Sequence, residues 1–299
     1  MNRRRISIVG PTASGKTALS ISLAELLGVS SILSCDSMAI YRHMDIGTAK
    51  PTAEELGDLT CHMIDVVDPC EEFSIAQFVT MVAGIEETIP TSSPVIFVGG
   101  SGLYHTSVFD HLSPPPTDPV KRAELTTLLE LNGLDWGYLR LTELDPAAVV
   151  KIEPQNFRRI VRALEVIELT GRPFSSFGPG VDAYPIDSGE IVGLFPGRDL
   201  LEERIRSRNN VLFEKGWIEE CRYLLDNFAL SATAAKAIGY SEIFDFISGK
   251  ISLEDAKESV VARSKKYAKR QMAWFRRDPR VKWFNGVDDA LVYLKSKVS

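Results

Sequence analysis

The clearest chemical signal in the sequence is GPTASGKT at residues 10–17. It fits the phosphate-binding pattern G-x-x-x-x-G-K-[ST], which is typical of nucleotide-binding and ATP-binding proteins. In such a loop the glycines turn successive backbone N–H groups inward, and the lysine reaches the distal phosphate. The threonine hydroxyl can hold Mg²⁺, so Thr17 is the predicted metal ligand. The motif predicts a polyphosphate held by Gly10, Pro11, Thr12, Ala13, Ser14, Gly15, Lys16 and Thr17, but it leaves open which bond of that ligand breaks.

Polar residues also follow two predicted strands, at Asp36-Ser37 and at Gly99-Gly100-Ser101-Gly102. Ligands of open α/β sheets bind beyond the carboxyl ends of the strands, so both groups should lie beside the loop. Asp36 is the candidate general base, because a carboxylate can accept a proton from an attacking nucleophile. Capping of the following segment is the alternative role. Ser101 could orient a ligand, and a plain tight turn is the alternative there.

A phosphoryl transferase with this loop usually keeps a magnesium-binding aspartate at the end of an apolar core strand. The segment PVIFVGG (94–100) has no acidic residue in that position, which weakens the interpretation as a kinase. Asp65 and Asp68 in HMIDVVDP could still serve, so the kinase hypothesis stays open.

A third signal is the segment VVARSKKYAKRQMAWFRR, residues 260–277. At about 100° per residue it divides into an apolar half and a basic half, as an amphipathic helix does. The basic half could follow a phosphate backbone, although a solvated surface is the alternative. Gln271 falls on the apolar half, where its amide must either join a structural network or face a polar ligand.

Composition limits the possible classes of protein. The chain has 299 residues, 44% of them hydrophobic, enough for one large domain or two modest ones. We expect a cytoplasmic protein, because no apolar run is long enough for a membrane span or a secretory signal. Scattered cysteines and histidines argue against a disulfide framework or a zinc site. The net charge is −6. Residues 257–282 nevertheless contain ten Lys and Arg and only two acidic residues, so a polyanion can bind locally.

Alternating strand and helix patterns predict an α/β fold, a P-loop core with a mostly parallel sheet flanked by helices, plus a helical insertion domain. We expect the core at residues 1–200 and 260–299, the insertion at about 201–259, and a hinge in the proline-rich segment 111–119. The predicted strands are RISIVG (5–10), VSSILSCDS (29–37), HMIDVVDP (62–69), SPVIFVGGSG (93–102), GEIVGLFPG (189–197) and VKWFNG (281–286). The predicted helices include TALSISLAELL (17–27), stopped by Gly28, then PVKRAELTTLLELN (119–132), NFRRIVRALEVIELT (156–170) and LLEERIRSRNNVLFEKGWIEECRYLL (200–225).

Six motifs, in this order, resemble those of the bacterial-type tRNA dimethylallyltransferases, also called tRNA isopentenyltransferases. They are GPTASGKT, CDSMAIYRHMDIGTAKP, FVGGSGLY, FRRIVRALEVIELTGRP, KAIGYSE and AKRQMAWFRR, and the resemblance runs from residue 6 to about residue 283. It implies that the loop holds dimethylallyl diphosphate with Mg²⁺. It also implies that the exocyclic N6 of adenosine 37, in the anticodon stem-loop of a tRNA, is the nucleophile. We expect the enzyme to act as a monomer.

Carried onto this sequence, the resemblance implies Asp36 as the base, Ser101 near the reacting centre, and Lys16 with Arg204 or Arg208 on the departing diphosphate. The implied tRNA contacts are Asp36, Ser37, Met38, Ala39, Ser101, Arg158, Arg159, Arg162, Lys236, Gly239, Tyr240, Lys265, Lys266, Lys269, Arg270 and Gln271. Several positions depart from the family pattern: Ala273 stands where a threonine is usual, and SKKYAKRQMAW replaces the more usual threonine-arginine opening. Ala39 stands where glutamine is common, Ser101 replaces the usual threonine, and Cys61 stands where a histidine is frequent.

Three other functions compete with prenyl transfer to tRNA. An adenylate isopentenyltransferase would modify free AMP or ATP, but the basic C-terminal region argues against it. A P-loop kinase acting on a small metabolite would have no use for that region. A nucleotide-binding switch without chemistry would not need Asp36 beside the loop.

Overall fold

The computed structural model describes residues 3–112, 114–177, 184–185 and 189–298. The chain divides into two compact units, which we call the sheet unit (residues 1–110 and 184–299) and the helical unit (residues 111–183). The helical unit begins within the proline-rich segment 111–119. The division differs from the expected one, because helices of 201–259 share a hydrophobic core with Ile40 and Met44 of the sheet unit.

Within the described residues, six strands form one parallel sheet: β1 (Arg5–Val9), β2 (Ser31–Ser34), β3 (Thr60–His62), β4 (Val95–Gly99), β5 (Glu190–Leu194) and β6 (Val281–Phe284). The strand order is β3-β2-β4-β1-β5-β6, which confirms the predicted fold class. Val9 is level with Gly99 and Gly193, so the central strands end at one edge of the sheet. That edge is where ligands of such sheets bind.

The strand predicted over HMIDVVDP is wrong, since β3 lies just before it at Thr60–His62. Met63 and Asp65 have φ values of 63° and 55°, a left-handed conformation that an extended strand does not allow. The two aspartates considered for magnesium are paired instead. Asp65 lies 2.6 Å from Lys50 Nζ, and Asp68 lies 2.8 Å from the Arg42 guanidinium.

The helices follow the predicted segments closely, with one difference. The segment 200–225 is not continuous, because Gly216, at φ 96°, separates two helices. In chain order the helices are α1 (Lys16–Leu27), α2 (Ala53–Leu56), α3 (Ile75–Thr88), α4 (Gly102–Phe109), α5 (Pro119–Asn132), α6 (Leu134–Leu144), α7 (Pro146–Val149), α8 (Phe157–Thr170), α9 (Arg198–Glu214), α10 (Trp217–Asn227), α11 (Tyr240–Ile247), α12 (Leu253–Phe275) and α13 (Val287–Val298).

Side chains of β1 alternate between two cores, one on each face of the sheet. Ile8 packs with Leu19 of α1 and with residues of α13. Val9 packs on the opposite face with residues of α3 and α4 and with Phe275 at the end of α12. As a result, α1 and α12 approach the carboxyl end of β1 from opposite faces of the sheet.

The helical unit packs α5, α6, α7 and α8 around its own core. Its most buried charged group is Glu165, whose carboxylate accepts hydrogen bonds from Arg122, Arg162, the Thr117 hydroxyl and the Asp118 N–H. Burial raises the pKa of Glu165, but these hydrogen bonds outweigh burial and leave it below its usual value. Among the described residues, no helix combines the length and apolar character needed to cross a membrane.

Candidate active site

The loop between β1 and α1 has the backbone that its glycines predict. Gly10 has a φ of 145°, and a Cβ there would lie 2.5 Å from the Leu194 carbonyl oxygen, so only glycine fits. Gly15, at φ 100°, leads directly into α1. Lys16 Nζ donates to the Pro11 carbonyl at 2.7 Å, so the loop curves around its own lysine. A loop of this shape at a helix N-terminus is suited to an anion.

Two partly buried cations, Lys16 and Arg208, lie close enough to the Asp36 carboxylate to interact with it electrostatically. Burial lowers the pKa of Lys16 to about 7; the nearby Arg208 lowers it further, and Asp36 opposes the shift. Burial also lowers the pKa of Arg208, again opposed by Asp36. Because both cations lose hydration, an anionic ligand would compensate for what burial costs them.

Asp36 follows β2, and its two carboxylate oxygens have different surroundings. Oδ1 accepts hydrogen bonds from the backbone N–H groups of Met38 at 2.8 Å and Ala39 at 3.3 Å. No described residue donates a hydrogen bond to Oδ2. The capping role considered from the sequence is therefore real, and it leaves one oxygen free to accept a proton.

Ser101 is held in a small hydroxyl cluster. Its Oγ accepts a hydrogen bond from the Ser37 N–H at 3.1 Å and lies 3.3 Å from both the Ser37 hydroxyl and the Tyr267 hydroxyl. Burial and the charge of Asp36 raise the pKa of Tyr267 to about 12, so its hydroxyl stays protonated and can donate. The cluster ties the ends of β2 and β4 to α12.

Gln271 of α12 joins the loop to β4. Its Oε1 accepts the Thr12 N–H at 2.8 Å, and its Nε2 donates to the Gly100 carbonyl at 3.0 Å. Of the two alternatives for this buried amide, the structure shows the structural network. Thr12 is predicted to bind diphosphate, but its backbone N–H already donates a hydrogen bond to Gln271.

The glycines of FVGGSGLY bring α12 close to β4. A Cβ on Gly100 would lie 2.1 Å from Gln271 Nε2, and one on Gly102 would lie 2.3 Å from the Trp274 ring. On the other side, a Cβ on Gly99 would lie 2.3 Å from the Cys35 carbonyl oxygen. The turn is therefore more than a plain tight turn, because larger residues would push α12 and β2 away from the site.

These elements enclose a cavity of about 390 Å³. Lys16, Arg208 and Asp36 all line it, whereas Arg204 is exposed on α9 and is absent from its described lining. The other predicted site residues in the lining are Thr12, Ala13, Thr17, Ser37, Met38, Ala39, Lys236, Tyr240, Arg270 and Gln271. Tyr240 is fully buried and donates to Glu220, and Gly239 packs against the Trp217 ring.

The basic half of α12 is exposed in part and paired in part. Lys266, Lys269 and Arg270 are exposed, and no carboxylate of the described chain lies within ion-pair distance of them. Lys265 instead pairs with Glu202 of α9 at 2.8 Å. The exposed three remain free for a polyanion.

The arginines of α8 belong to the helical unit. Arg162 donates to the Pro115 and Pro116 carbonyls and pairs with Glu165, so it holds this unit together. Arg158 and Arg159 are exposed. The predicted contact of these arginines with tRNA stays a prediction.

Sequence reasoning missed several residues of the cavity wall. Tyr267 lay within a quoted motif, but its hydroxyl gave no signal of a role near Ser101. Trp217 and Asn209 lie in the predicted helical segment 200–225, in which only Arg204 and Arg208 had been given a role. In the described part of the chain, no group of three or more His, Cys, Asp or Glu side chains is arranged to hold a metal ion.

The fold and the site together define an α/β protein with a glycine-rich loop between β1 and α1. Its cavity is lined by two partly buried cations, Lys16 and Arg208, and by Asp36, which has one carboxylate oxygen without a described donor. Comparison with known proteins narrows this class to one family. The model of the IPP transferase family matches residues 39–278. The chain belongs to the IPP transferase family.

Similar proteins cover nearly the whole chain. A tRNA dimethylallyltransferase from Geobacillus kaustophilus is 40% identical over 284 residues, which make up 94% of this chain and 90% of that protein. Another from Corynebacterium efficiens is 42% identical over 287 residues, 95% of each chain. The crystal structure of the full-length tRNA isopentenylpyrophosphate transferase from Bacillus halodurans matches with a TM-score of 0.71 at 36% identity. That match covers 99% of this chain and 95% of the Bacillus chain.

Proposed function

We propose that the protein transfers a dimethylallyl group from dimethylallyl diphosphate to N6 of adenosine 37 in tRNA and releases diphosphate. As a member of the IPP transferase family it is a prenyltransferase that modifies tRNA. The observation that carries the proposal is the cavity lined by Asp36, which has one carboxylate oxygen without a described donor, and by the partly buried cations Lys16 and Arg208. An amine nucleophile that loses a proton needs a base in that position. A kinase can use the same carboxylate, so membership of the IPP transferase family is what favours prenyl transfer over the kinase alternative.

The proposed reaction breaks the allylic C1–O bond and forms a bond between C1 and N6. The electron pair of the broken bond leaves with the diphosphate oxygen, and the proton of N6 passes to Asp36 Oδ2. Lys16, Arg208 and the N–H groups of the loop stabilise the charge that develops on the diphosphate. The Tyr267 hydroxyl, on the cavity wall, would orient the acceptor base, and Ser101, outside the described lining, would act by holding Tyr267 in place.

Thr17 fits a Mg²⁺ ion because its exposed hydroxyl stands in the first turn of α1, next to Lys16. We propose that Thr17 and the diphosphate oxygens hold the ion, since Mg²⁺ at phosphates needs few protein ligands. When bound, the ion would neutralise charge on the diphosphate. Gly10, Gly15 and Lys16 would orient the ligand around it.

On the nucleic-acid side, we propose that Lys266, Lys269 and Arg270 contact the tRNA backbone beside the cavity. The target adenine leaves its stack to enter the cavity, which costs little in a single-stranded anticodon loop. We further propose that the protein is a monomer, because all the proposed contacts of the reacting groups come from one chain. We also propose that it is cytoplasmic, as expected for an enzyme that modifies tRNA. Sedimentation of the protein with and without tRNA would test the monomer.

The proposal is tested by incubating the protein with dimethylallyl diphosphate, Mg²⁺ and either unmodified tRNA or AMP. We expect prenylated tRNA and released diphosphate, with no product from AMP. Prenylated AMP with untouched tRNA would identify an adenylate isopentenyltransferase instead. Formation of ADP from ATP without tRNA would identify a kinase, and either result would overturn the proposal.

A further inference from the structure

A short turn at Asp45–Gly47 directs three consecutive backbone N–H groups to one carboxylate. Glu220 Oε2 accepts from the Asp45 and Ile46 N–H groups at 2.8 and 2.7 Å, and its Oε1 accepts from the Gly47 N–H at 3.1 Å. Oε1 also accepts the Tyr240 hydroxyl at 2.7 Å. Successive N–H groups of this kind form an anion site, and here a side chain of α10 fills it.

The same turn continues directly into the cavity wall. Gly47, Thr48 and Ala49 line the cavity beside Arg208. The Thr48 carbonyl accepts a long hydrogen bond of 3.5 Å from the Arg208 guanidinium. Because Arg208 is partly buried and interacts electrostatically with Asp36, a change in its contact with this carbonyl would alter the direction in which the guanidinium faces the cavity.

Packing makes the position of the turn sensitive to Glu220. A Cβ on Gly47 would lie 2.1 Å from Trp217 Nε1, so the turn presses directly against the indole ring. The other side of the ring packs against Gly239, where a Cβ would lie 1.9 Å away. With no spare space at Trp217, the turn cannot relax toward the ring, so loss of its anchor would change the cavity wall at Gly47 and Thr48.

We propose that Glu220 is a positioning residue, which holds the Asp45–Gly47 turn so that Thr48 keeps Arg208 directed at the diphosphate. This inference rests on the proposed function, in which Arg208 stabilises the leaving group. Glu220 itself does not line the cavity, so it acts through the turn and not on the substrate.

The charge and shape of Glu220 are both required by this geometry. Each carboxylate oxygen accepts from two donors, and three of the four donors are backbone N–H groups that cannot accept. The NH₂ group of a glutamine would therefore face either the Asp45 and Ile46 N–H groups or the Gly47 N–H, and only the Tyr240 hydroxyl could turn to accept from it. Glu220→Gln thus removes one or two of the four contacts and the charge without changing volume. Glu219 offers a matched control, because it is exposed on the same helix and pairs only with Arg222 in the described chain.

The test compares Glu220→Gln with Glu219→Gln in the full chain. In Glu220→Gln we expect the KM for dimethylallyl diphosphate and the Kd for inorganic diphosphate with Mg²⁺ to rise about tenfold. The KM for tRNA should stay within about twofold, and Glu219→Gln should match the wild type. An unchanged Kd for diphosphate in a folded Glu220→Gln protein would overturn the inference, as would a change confined to tRNA.

A double-mutant cycle with Arg208→Lys separates positioning from a general loss of structure. If Glu220 acts through Arg208, adding Glu220→Gln to Arg208→Lys should cost less than about twofold more in diphosphate affinity. Losses that multiply would show that Glu220 acts independently and would overturn the inference. Should Glu220→Gln fail to fold, Tyr240→Phe removes one of the four donors and should weaken diphosphate binding about threefold; unchanged binding there would count against the inference. Diphosphate affinity tests the role of Glu220 even if no prenyl transfer is found.

Discussion

Asp36 uses its two carboxylate oxygens for different purposes. Oδ1 is held by the N–H groups of Met38 and Ala39, so the side chain cannot rotate freely. Asp36 lines the cavity together with Lys16 and Arg208. The proposed base is thus oriented by backbone groups of the turn that follows its own strand.

We expect Asp36→Asn to lower the single-turnover rate of prenyl transfer by about 10²–10⁴, the usual contribution of a general base. The amide oxygen can keep the contacts of Oδ1, so the affinity for tRNA should change little. Filter binding of tRNA and a quenched prenylation time course measure the two quantities. Asp58→Asn, an exposed substitution, serves as the control, and undiminished transfer by Asp36→Asn would refute the assignment.

The lowered pKa of Lys16 predicts a pH dependence of ligand binding. In the free protein this lysine loses its proton as the pH rises through about 7, whereas a bound diphosphate favours the protonated form. Diphosphate binding should therefore take up a proton above pH 7 and weaken as the pH increases, by up to about tenfold per pH unit. Calorimetry in buffers of different ionisation enthalpy measures that proton uptake. Lys16→Met should lose the part of the pH dependence that comes from the protein.

At the scale of elements, α12 carries both sides of the site. Gln271 and Trp274 pack toward the loop and the GGSG turn, Lys266 and Lys269 are exposed, and Arg270 is exposed at the cavity wall. A single helix therefore lies between the end of the cavity proposed for diphosphate and the surface proposed for tRNA. The two functions can be removed separately by substitutions on opposite faces.

We expect Lys269→Ala/Arg270→Ala to weaken tRNA binding and to reduce the slope of log K against log salt by about 1–2. Diphosphate affinity should change much less than tRNA affinity, since Lys269 lies outside the described cavity lining and only Arg270 is part of it. Binding measured between about 50 and 200 mM salt gives the slope. Lys250→Ala/Lys257→Ala removes the same number of charges outside this surface and should leave the slope intact. An unaltered slope in the first variant would mean that the basic face of α12 is only solvated.

Elements with a strong local pattern were predictable from the sequence. The β1–loop–α1 unit has glycine, lysine and helix-stop signals in one stretch, and α12 has a clear period of 3.6 residues. β3 was misplaced because the left-handed Met63 and Asp65 carry no local mark of that conformation. The contact between Glu220 and the Asp45–Gly47 turn joins residues about 175 positions apart, and no local pattern encodes it. The burial of Gln271 was predicted, but its partner Thr12 was not, because the two residues are 259 positions apart in the chain.

At the scale of the whole molecule, the helical unit is an insertion between β4 and β5 in the sequence and has its own core. Its stability depends on the buried Glu165, which neutralises Arg122 and Arg162. The sheet unit contains every residue of the cavity lining. The two units can therefore differ in their response to acid.

We expect the amides of the helical unit to lose protection from hydrogen exchange at acid pH, because Glu165 becomes protonated. Because the folded pKa of Glu165 is lowered, its contribution is complete above the unfolded value of about 4.3 and is lost as the pH falls through the lower folded value. Hydrogen exchange of α5 and α8 amides at neutral and acid pH measures this. Glu165→Gln should already exchange faster at neutral pH and respond less to acid. Glu168→Gln, on the same helix but only partly buried, should resemble the wild type.

The hydrogen bond from Thr12 to Gln271 spans 259 residues of the chain. A ribosome adds about 5–20 residues per second, so the loop exists for roughly 10–50 s before the glutamine that secures it has been made. By the time Gln271 is synthesised, β1, β2, β4 and α9 have already been made, and α12 is the last element of the cavity to be added. The core of the helical unit, between Leu125 and Phe174, is also made earlier. In the nascent chain, the loop of residues 10–17 therefore lacks its hydrogen bond to Gln271 until almost the end of synthesis.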